Sequence, residues 1–304
     1  MNVLVSTAPG EMGELAAETI GGILDKALGG ANIATFAEDG DPIAWDALSK
    51  TGWDLVGVLD DDGDGASLRD LVEVAQVWGS QLAPLPYLET VLAKRHSDAA
   101  QEWDGPVTFA LPHPSNETGF SYIPFGAMPG IGLVTGMGTG ASEVTPVPSG
   151  RPHTLDLDAR ATEAVAQTEF SPEAAQEVAI VSAASAVGAA RRLLDLGVAF
   201  AKEREQFGKP IGSFQAVKHH LANSMIAVEE AETAVIWGSL LPEEAFRGAR
   251  FAIGRCVDAA EIVLQVHGGL GFTWELGLHF YLRHILAARE SVEGLRAKFS
   301  GGAS

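Results

Sequence analysis

A chain of 304 residues, 46% hydrophobic and 20% charged, with a formal net charge of −20, has a globular composition and room for one large domain or two to three small ones. Its first hundred residues carry 17 Asp/Glu against five Lys/Arg, a surface that repels phosphate backbones and argues against nucleic acid as a partner. No apolar run of the ~18 residues needed to cross a bilayer occurs, no basic segment leads a long apolar stretch at the start, and the single cysteine, Cys256, rules out an internal disulfide and fits a reducing cytoplasm.

Residues 1–104 read as a helical domain. The stretch "EMGELAAETIGGILDKALGG" places Met12, Leu15, Ile20, Ile23, Leu24 and Leu28 mostly along one side and stops at Gly29 and Gly30. Shorter helical pieces follow around "PIAWDALSKTG", "ASLRDLVEVAQVWGS" and "LPYLETVLAKR". Residues 105–170 change texture: "GPVTFALP", "YIPFGA", "GIGLVTGM" and "ASEVTPVP" are short apolar or alternating runs cut by Gly and Pro, the pattern of a small sheet too short for a large barrel. Residues 171–304 return to helix. Ser171, Pro172 and Glu173 supply a capping hydroxyl, a proline at the first helical position and an acid that suits the helix dipole. Helices are predicted from there to about Glu203, from Ser213 to about Leu240, from Pro242 to about Val266, and from about Leu276 to Lys298. Long helices with short connections predict an antiparallel four-helix bundle, and the fold class is α+β, mostly α.

Three motifs lead nowhere. "DDDGDG" at 60–65 opens like a calcium loop, but the twelfth position, which needs a bidentate Glu, is Leu71; a solvated acidic turn is expected. "GMGTGA" at 136–141 has dinucleotide-loop spacing, yet three prolines close behind it forbid the helix that must follow. His219 and His220 are adjacent, about 100° apart on a helix, and no other histidine spacing suggests zinc. No metal site is expected, and Cys256, inside an apolar helix, reads as core.

The basic residues concentrate instead around Arg204, Lys209 and Lys218, so an anionic ligand belongs near that corner. "FAKEREQFGKPIGSFQAVKHHLA" and, some forty residues later, "AAEIVLQVHGGLGFTWELGLHFYLRHI" closely resemble the acyl-CoA dehydrogenase family, matching its R-x-x-FG-x-x-I-x-x-FQ and Q-x-x-GG-x-G-[FY] elements. The early helical zone resembles that family's N-terminal domain as well, so the likeness covers most of the chain. It implies a helical domain, a middle β-domain and a C-terminal bundle, with FAD-dependent α,β-dehydrogenation of an acyl-CoA thioester as the activity. In the family, one subunit's Arg and Phe-Gly reach the FAD of its neighbour. Carried over, Arg204 would place a planar fork of donors on the pyrophosphate, Gln206 and Phe207 would lie along the adenosine portion, Gln265 would bond nearby, and Gly268 and Gly269 would admit close backbone approach. The plainer alternative has Arg204 paired with a local acid and the glycines merely ending a helix.

The departures from the family are selective. Its usual catalytic carboxylate falls, counting from Arg283, at Val292; the alternative position on the first bundle helix falls, counting back from Arg204 through Gly188, at Val178. Glu177, Glu290 and Glu293 are neighbours and are expected to be exposed helix carboxylates, so no catalytic residue is assigned. The middle zone is short, with much of the flavin cradle absent. The resemblance therefore implies the short, degenerate subunit of a heteromeric enzyme, like those of bacterial steroid side-chain catabolism: an α2β2 complex with a full-length acyl-CoA dehydrogenase subunit whose FAD this chain shares. The alternatives are a self-sufficient dehydrogenase using Glu290 or Glu293 as base, and a flavin-free scaffold or acyl-CoA-binding protein.

Overall fold

A computed structural model describes residues 7–29, 33, 43–59, 65–112, 120–148, 151–152, 160–163 and 167–300. Of the acidic turn expected at 60–65, residues 60–64 lie outside them.

Helix α1 (Glu11–Leu28) buries Ala16, Ile20, Leu24 and Leu28, spaced every four residues along one face. It stops where Gly29 turns left-handed at φ 55° and returns its N–H to Asp25 O at 3.0 Å. After the short α2 (Asp46–Ser49) comes α3 (Leu68–Gln81). There Ser67 and Asp70 form a reciprocal capping box, and Asp70 also accepts the Gly10 N–H at 2.6 Å, tying the start of α1 to the start of α3. Helices α4 (Tyr87–His96) and α5 (Asp98–Glu102) follow.

The middle segment forms small sheets. Strand β1 (Val107–Phe109) runs parallel to β4 (Gly132–Val134), which pairs antiparallel with β6 (Val144–Pro146). Strands β2 (Leu111–Pro112), β3 (Phe120–Ile123), β8 (Arg160–Glu163) and β7 (Arg151–Pro152) make an antiparallel set, and β5 (Gly136–Met137) pairs parallel with β9 (Glu169–Phe170). The "GMGTGA" run thus supplies β5 and a bend and leads to β6, with no helix after it.

The bundle consists of α6 (Pro172–Glu203), α7 (Gln215–Leu240), α8 (Ala245–His267) and α9 (Leu278–Ser300). Its central member is α6, which packs on α3, α7, α8 and α9. From Glu177 to Ala190 every α6 residue except Ser182 is buried, and most are Ala or Val; a helix apolar all round can only be a core helix. Small residues let the α3–α6 crossing close: a Cβ on Gly79 would collide with Ser185 O, and one on Gly188 with Gln76 O. Cys256 is fully buried in α8, and burial pushes its thiol pKa well up, as expected for a core position. No described helix is long and apolar enough to cross a membrane, and no group of three or more His, Cys, Asp or Glu among the described residues could hold a metal ion.

Candidate functional site

Both sequence blocks meet at one end of the bundle. Helix α6 ends at Arg204, whose N–H reaches Phe200 O and whose carbonyl accepts from the Ile211 N–H, each at 2.8 Å. Between them the chain makes a two-residue hairpin, β10 (Glu205–Gln206) against β11 (Lys209–Pro210). Its tip, Phe207 and Gly208, has φ of 56° and 77°, the double positive φ of a type I′ turn. Glycine adopts that backbone freely; phenylalanine does so at a cost of about 1–3 kcal/mol. The Phe207 side chain is 92% exposed and touches the rest of the chain through an edge-on contact with Phe214 at 6.2 Å.

The second block arrives through α8. Phe200 of α6 stacks on His267 at 4.4 Å between ring centroids, and Gly197 lets Val263 pack closely against α6. His267 donates from Nδ1 to Val263 O at 2.9 Å, and burial holds its pKa below the ordinary histidine value despite that hydrogen bond. Immediately after it, Gly268 turns to φ 63°, ψ −142° and Gly269 follows with open space where a Cβ would stand. Gln265, Gly268 and Gly269 are exposed. The stacked pair Phe200–His267, with the Gly197–Val263 contact, joins the end bearing Arg204, Gln206 and Phe207 to the end bearing Gln265, Gly268 and Gly269.

Of the plainer alternative, one half holds and the other fails. Gly268 does cap α8, donating its N–H to Gln265 O. Arg204, however, is exposed, and its guanidinium has no ion pair or hydrogen bond among the described residues. Lys202 and Lys218 beside it are likewise exposed and unpaired there, and Lys209 Nζ lies 4.3 Å from the Phe214 ring centroid. The Gln206 side-chain amide donates to the neighbouring Glu205 carbonyl at 2.7 Å. In a chain of net charge −20, idle cations at one corner stand out.

The carboxylates behave oppositely. Val178 and Val292 are 0% and 1% exposed, packed in the core. The expectation that their acidic neighbours are solvated is wrong for Glu177. It is buried and accepts from Arg95 Nε at 2.7 Å and His96 Nε2 at 2.8 Å, while Arg95 also donates to Gly57 O and Ala66 O. Burial raises the Glu177 pKa, but the His96 hydrogen bond and the Arg95 charge outweigh it and hold the carboxyl below its ordinary range. Glu293 is only partly exposed and pairs with Arg250 at 2.5 Å and Arg296 at 2.8 Å. Partial burial raises its pKa, and the two guanidinium partners overcome that rise. Glu290 is half-buried, with a contact of its own.

A cavity of about 420 Å³ opens among α3, α4, the first strands, α6 and α9. Trp78, Leu92, Phe109 and Tyr122 form apolar walls; Ser182, Ser185 and His284 give one side polar character. Ser185 Oγ and His284 Nε2 share a hydrogen bond at 2.9 Å. Sequence reasoning missed this pair and the Glu177 cluster, because each joins residues some eighty or more positions apart with no local motif.

Comparison with known proteins supplies the context. The family model described as acyl-CoA dehydrogenase, C-terminal domain, matches residues 170–238. Acyl-CoA dehydrogenase IpdE2 of Mycobacterium tuberculosis (strain ATCC 25618 / H37Rv) is 30% identical over 308 aligned positions, covering 95% of each chain. Among solved structures, the ChsE4–ChsE5 complex from Mycobacterium tuberculosis superposes with a TM-score of 0.68 at 19% identity, covering 97% of both chains. A Tcur3481–Tcur3483 steroid ACAD variant gives 0.72 at 19% identity, covering 95% of this chain and 96% of the other.

Proposed function

The chain belongs to the acyl-CoA dehydrogenase family, oxidoreductases that act on acyl-CoA, and we propose that it is the smaller, base-lacking subunit of an FAD-dependent α2β2 complex, completing the cofactor site of a full-length partner subunit. The observation that carries this reading is the exposed guanidinium of Arg204, unpaired among the described residues, beside the exposed ring of Phe207 on a left-handed backbone. A guanidinium with no ion pair or hydrogen bond among the described residues is a donor fork open to an anion from outside. The residues fit one end of a dinucleotide: charge-assisted donors for a pyrophosphate from Arg204, an aromatic face from Phe207, an amide from Gln206 and another from Gln265. Gly268 and Gly269 leave the backbone open to close approach.

FAD, when bound, supplies the hydride acceptor for α,β-dehydrogenation of the thioester. This chain's part is to bind and orient, because valines, Val178 and Val292, stand where the family keeps its base. Val178 and Val292 cannot accept a proton, Glu177 is committed to Arg95 and His96, and Glu293 to Arg250 and Arg296. These pairs also count against a self-sufficient enzyme using Glu293. The small described sheets, none wider than four short strands, favour a reduced flavin cradle. That one structural neighbour is a complex of two named proteins, and another a steroid ACAD, supports a heteromeric assembly and a steroid-derived acyl group as substrate.

Co-expression with full-length acyl-CoA dehydrogenase subunits tests this. The chain alone should purify colourless, and the complex yellow. Arg204→Ala should weaken FAD retention in the complex by about 1.5–3 kcal/mol, the worth of a hydrogen bond to a charged group. Stoichiometric flavin on the isolated chain would refute the shared site. Unchanged FAD affinity in the Arg204→Ala complex would favour a scaffold role instead.

A further inference from the structure

A ligand that bridges two helix ends needs both held to within roughly 0.5 Å, and groups on exposed turns do not hold themselves. We propose that His267 is a positioning residue for the cofactor end: stacked on Phe200, it sets the register between Arg204 at the end of α6 and Gly268 and Gly269 at the end of α8. Its bearing on FAD rests on the shared site proposed above; the register between the two helix ends does not.

Arg204 and Gly268 are exposed, so their places are set by what lies one step inward. Arg204 follows Phe200 by one helical turn and donates its N–H to Phe200 O at 2.8 Å. The hairpin that carries Gln206 and Phe207 returns to the same turn, where a Cβ on Gly212 would stand 2.8 Å from Ala201 O. On the other side, Gly268 follows His267 directly. The 3-10 turn Gly268–Phe272 then folds back over that histidine, close enough that a Cβ on Gly271 would stand 2.7 Å from Leu264 O and 3.2 Å from His267 Cβ. Phe200 and His267 are thus the inner ends of both arms, and they meet ring on ring, with 4.4 Å between centroids and 25° between planes.

The histidine is the fixed member of this pair. It is buried, whereas Phe200 is half-buried. Its Nδ1 donates to Val263 O, one turn back, at 2.9 Å, so the imidazole cannot rotate without losing that bond. Deeper in the crossing, Gly197 admits Val263, whose Cγ1 would stand 2.6 Å from a Cβ there. That contact brings α6 and α8 together but reaches neither end. The stack carries their register one turn further, to the residues from which Arg204 and Gly268 depart. The ring does the positioning, and the hydrogen bond sets the angle at which it is presented.

Two measurements test this. In the isolated chain, hydrogen exchange at the Arg204 and Gly268 amides should quicken together in His267→Asn, which keeps a donor for Val263 O but has no ring. It should stay near wild type in His267→Phe, which keeps the ring. In the co-expressed complex, FAD affinity read from flavin fluorescence should fall about tenfold in His267→Asn, the lower end of what losing a residue that orients a ligand-holding group costs at metal sites. His267→Phe should restore most of it. Phe200→Leu should cost as much as His267→Asn, and the double variant no more than either alone, because both remove one contact. Thermal melts establish that each variant folds. A lowered melting temperature with unchanged FAD affinity in His267→Asn would make the residue structural only. Exchange that quickens at one amide alone, or additive losses in the double variant, would also overturn the assignment. If Arg204→Ala weakens FAD binding and His267→Asn does not, the shared site stands and the positioning role falls; if Arg204→Ala leaves FAD unchanged, both fall.

Discussion

At its N-terminal end α6 is clasped. Glu177 sits in a buried cluster with Arg95 and His96, Val178 is sealed in the core, and Gly188 is pressed against the backbone of α3. Past its C-terminal end the same helix gives way to Arg204 and Phe207, which touch almost nothing. The two ends differ in where charge is committed. At the first, Glu177 and Glu293, beside the family's catalytic positions, are engaged by cations of this chain; at the second, Arg204, Lys202 and Lys218 have no ion pair among the described residues. A protein's own folding consumes the first set and not the second, so the second is the set available to another molecule.

The largest expected effect comes from breaking the clasp. Glu177→Ala leaves Arg95 and His96 buried without their acid, and should cost about 3–5 kcal/mol in urea unfolding. The pH dependence has a definite sign. A carboxyl whose folded pKa lies below its ordinary value near 4.5 stabilises the fold fully above that value and loses the contribution as pH falls through the folded pKa. Wild type should therefore lose stability below about pH 4.5 more steeply than Glu177→Gln, and the two curves should converge in acid. If they stay parallel, Glu177 is not ionised in the fold. Next comes Gly188→Ala, whose new methyl meets Gln76 O; overpacking of that kind should cost about 1–3 kcal/mol. Because the crossing lies away from the fork, co-purified flavin per folded complex should not change.

The end that other molecules would touch was the more legible in sequence. Arg204, Phe207, Gly208, Gly268 and Gly269 act through local backbone: a helix stop, a two-residue turn, a cap. Such features depend on neighbours in the chain, as do the bundle's helix limits, which fall within about two or three residues of those expected. The clasped end depends on pairs far apart. Nothing near Glu177 foretells Arg95 and His96, and a surface helix is the ordinary place for a glutamate. Parallel pairings such as β1 with β4 are equally invisible, since residues at least twenty positions apart decide them. The cavity was missed for the same reason: its polar side joins serines on α6 to a histidine on α9.

The smallest effects on stability should occur where the proposed effects on function are largest. Phe207→Gly removes a left-handed phenylalanine, a gain of about 1–2 kcal/mol, and adds unfolded-chain freedom worth about 0.5–1 kcal/mol against it. The net change should be near zero or slightly stabilising. Arg204→Ala removes a side chain with no polar partner among the described residues, and should shift unfolding by no more than about 0.5 kcal/mol, as for surface positions away from special features. A larger loss in the isolated chain would mean that Arg204 serves this fold, and the contrast between the two ends of α6 would disappear. A silent melt together with lost flavin in the complex would place its whole contribution across the interface, because a group that stabilises nothing at home has its free energy realised only on association.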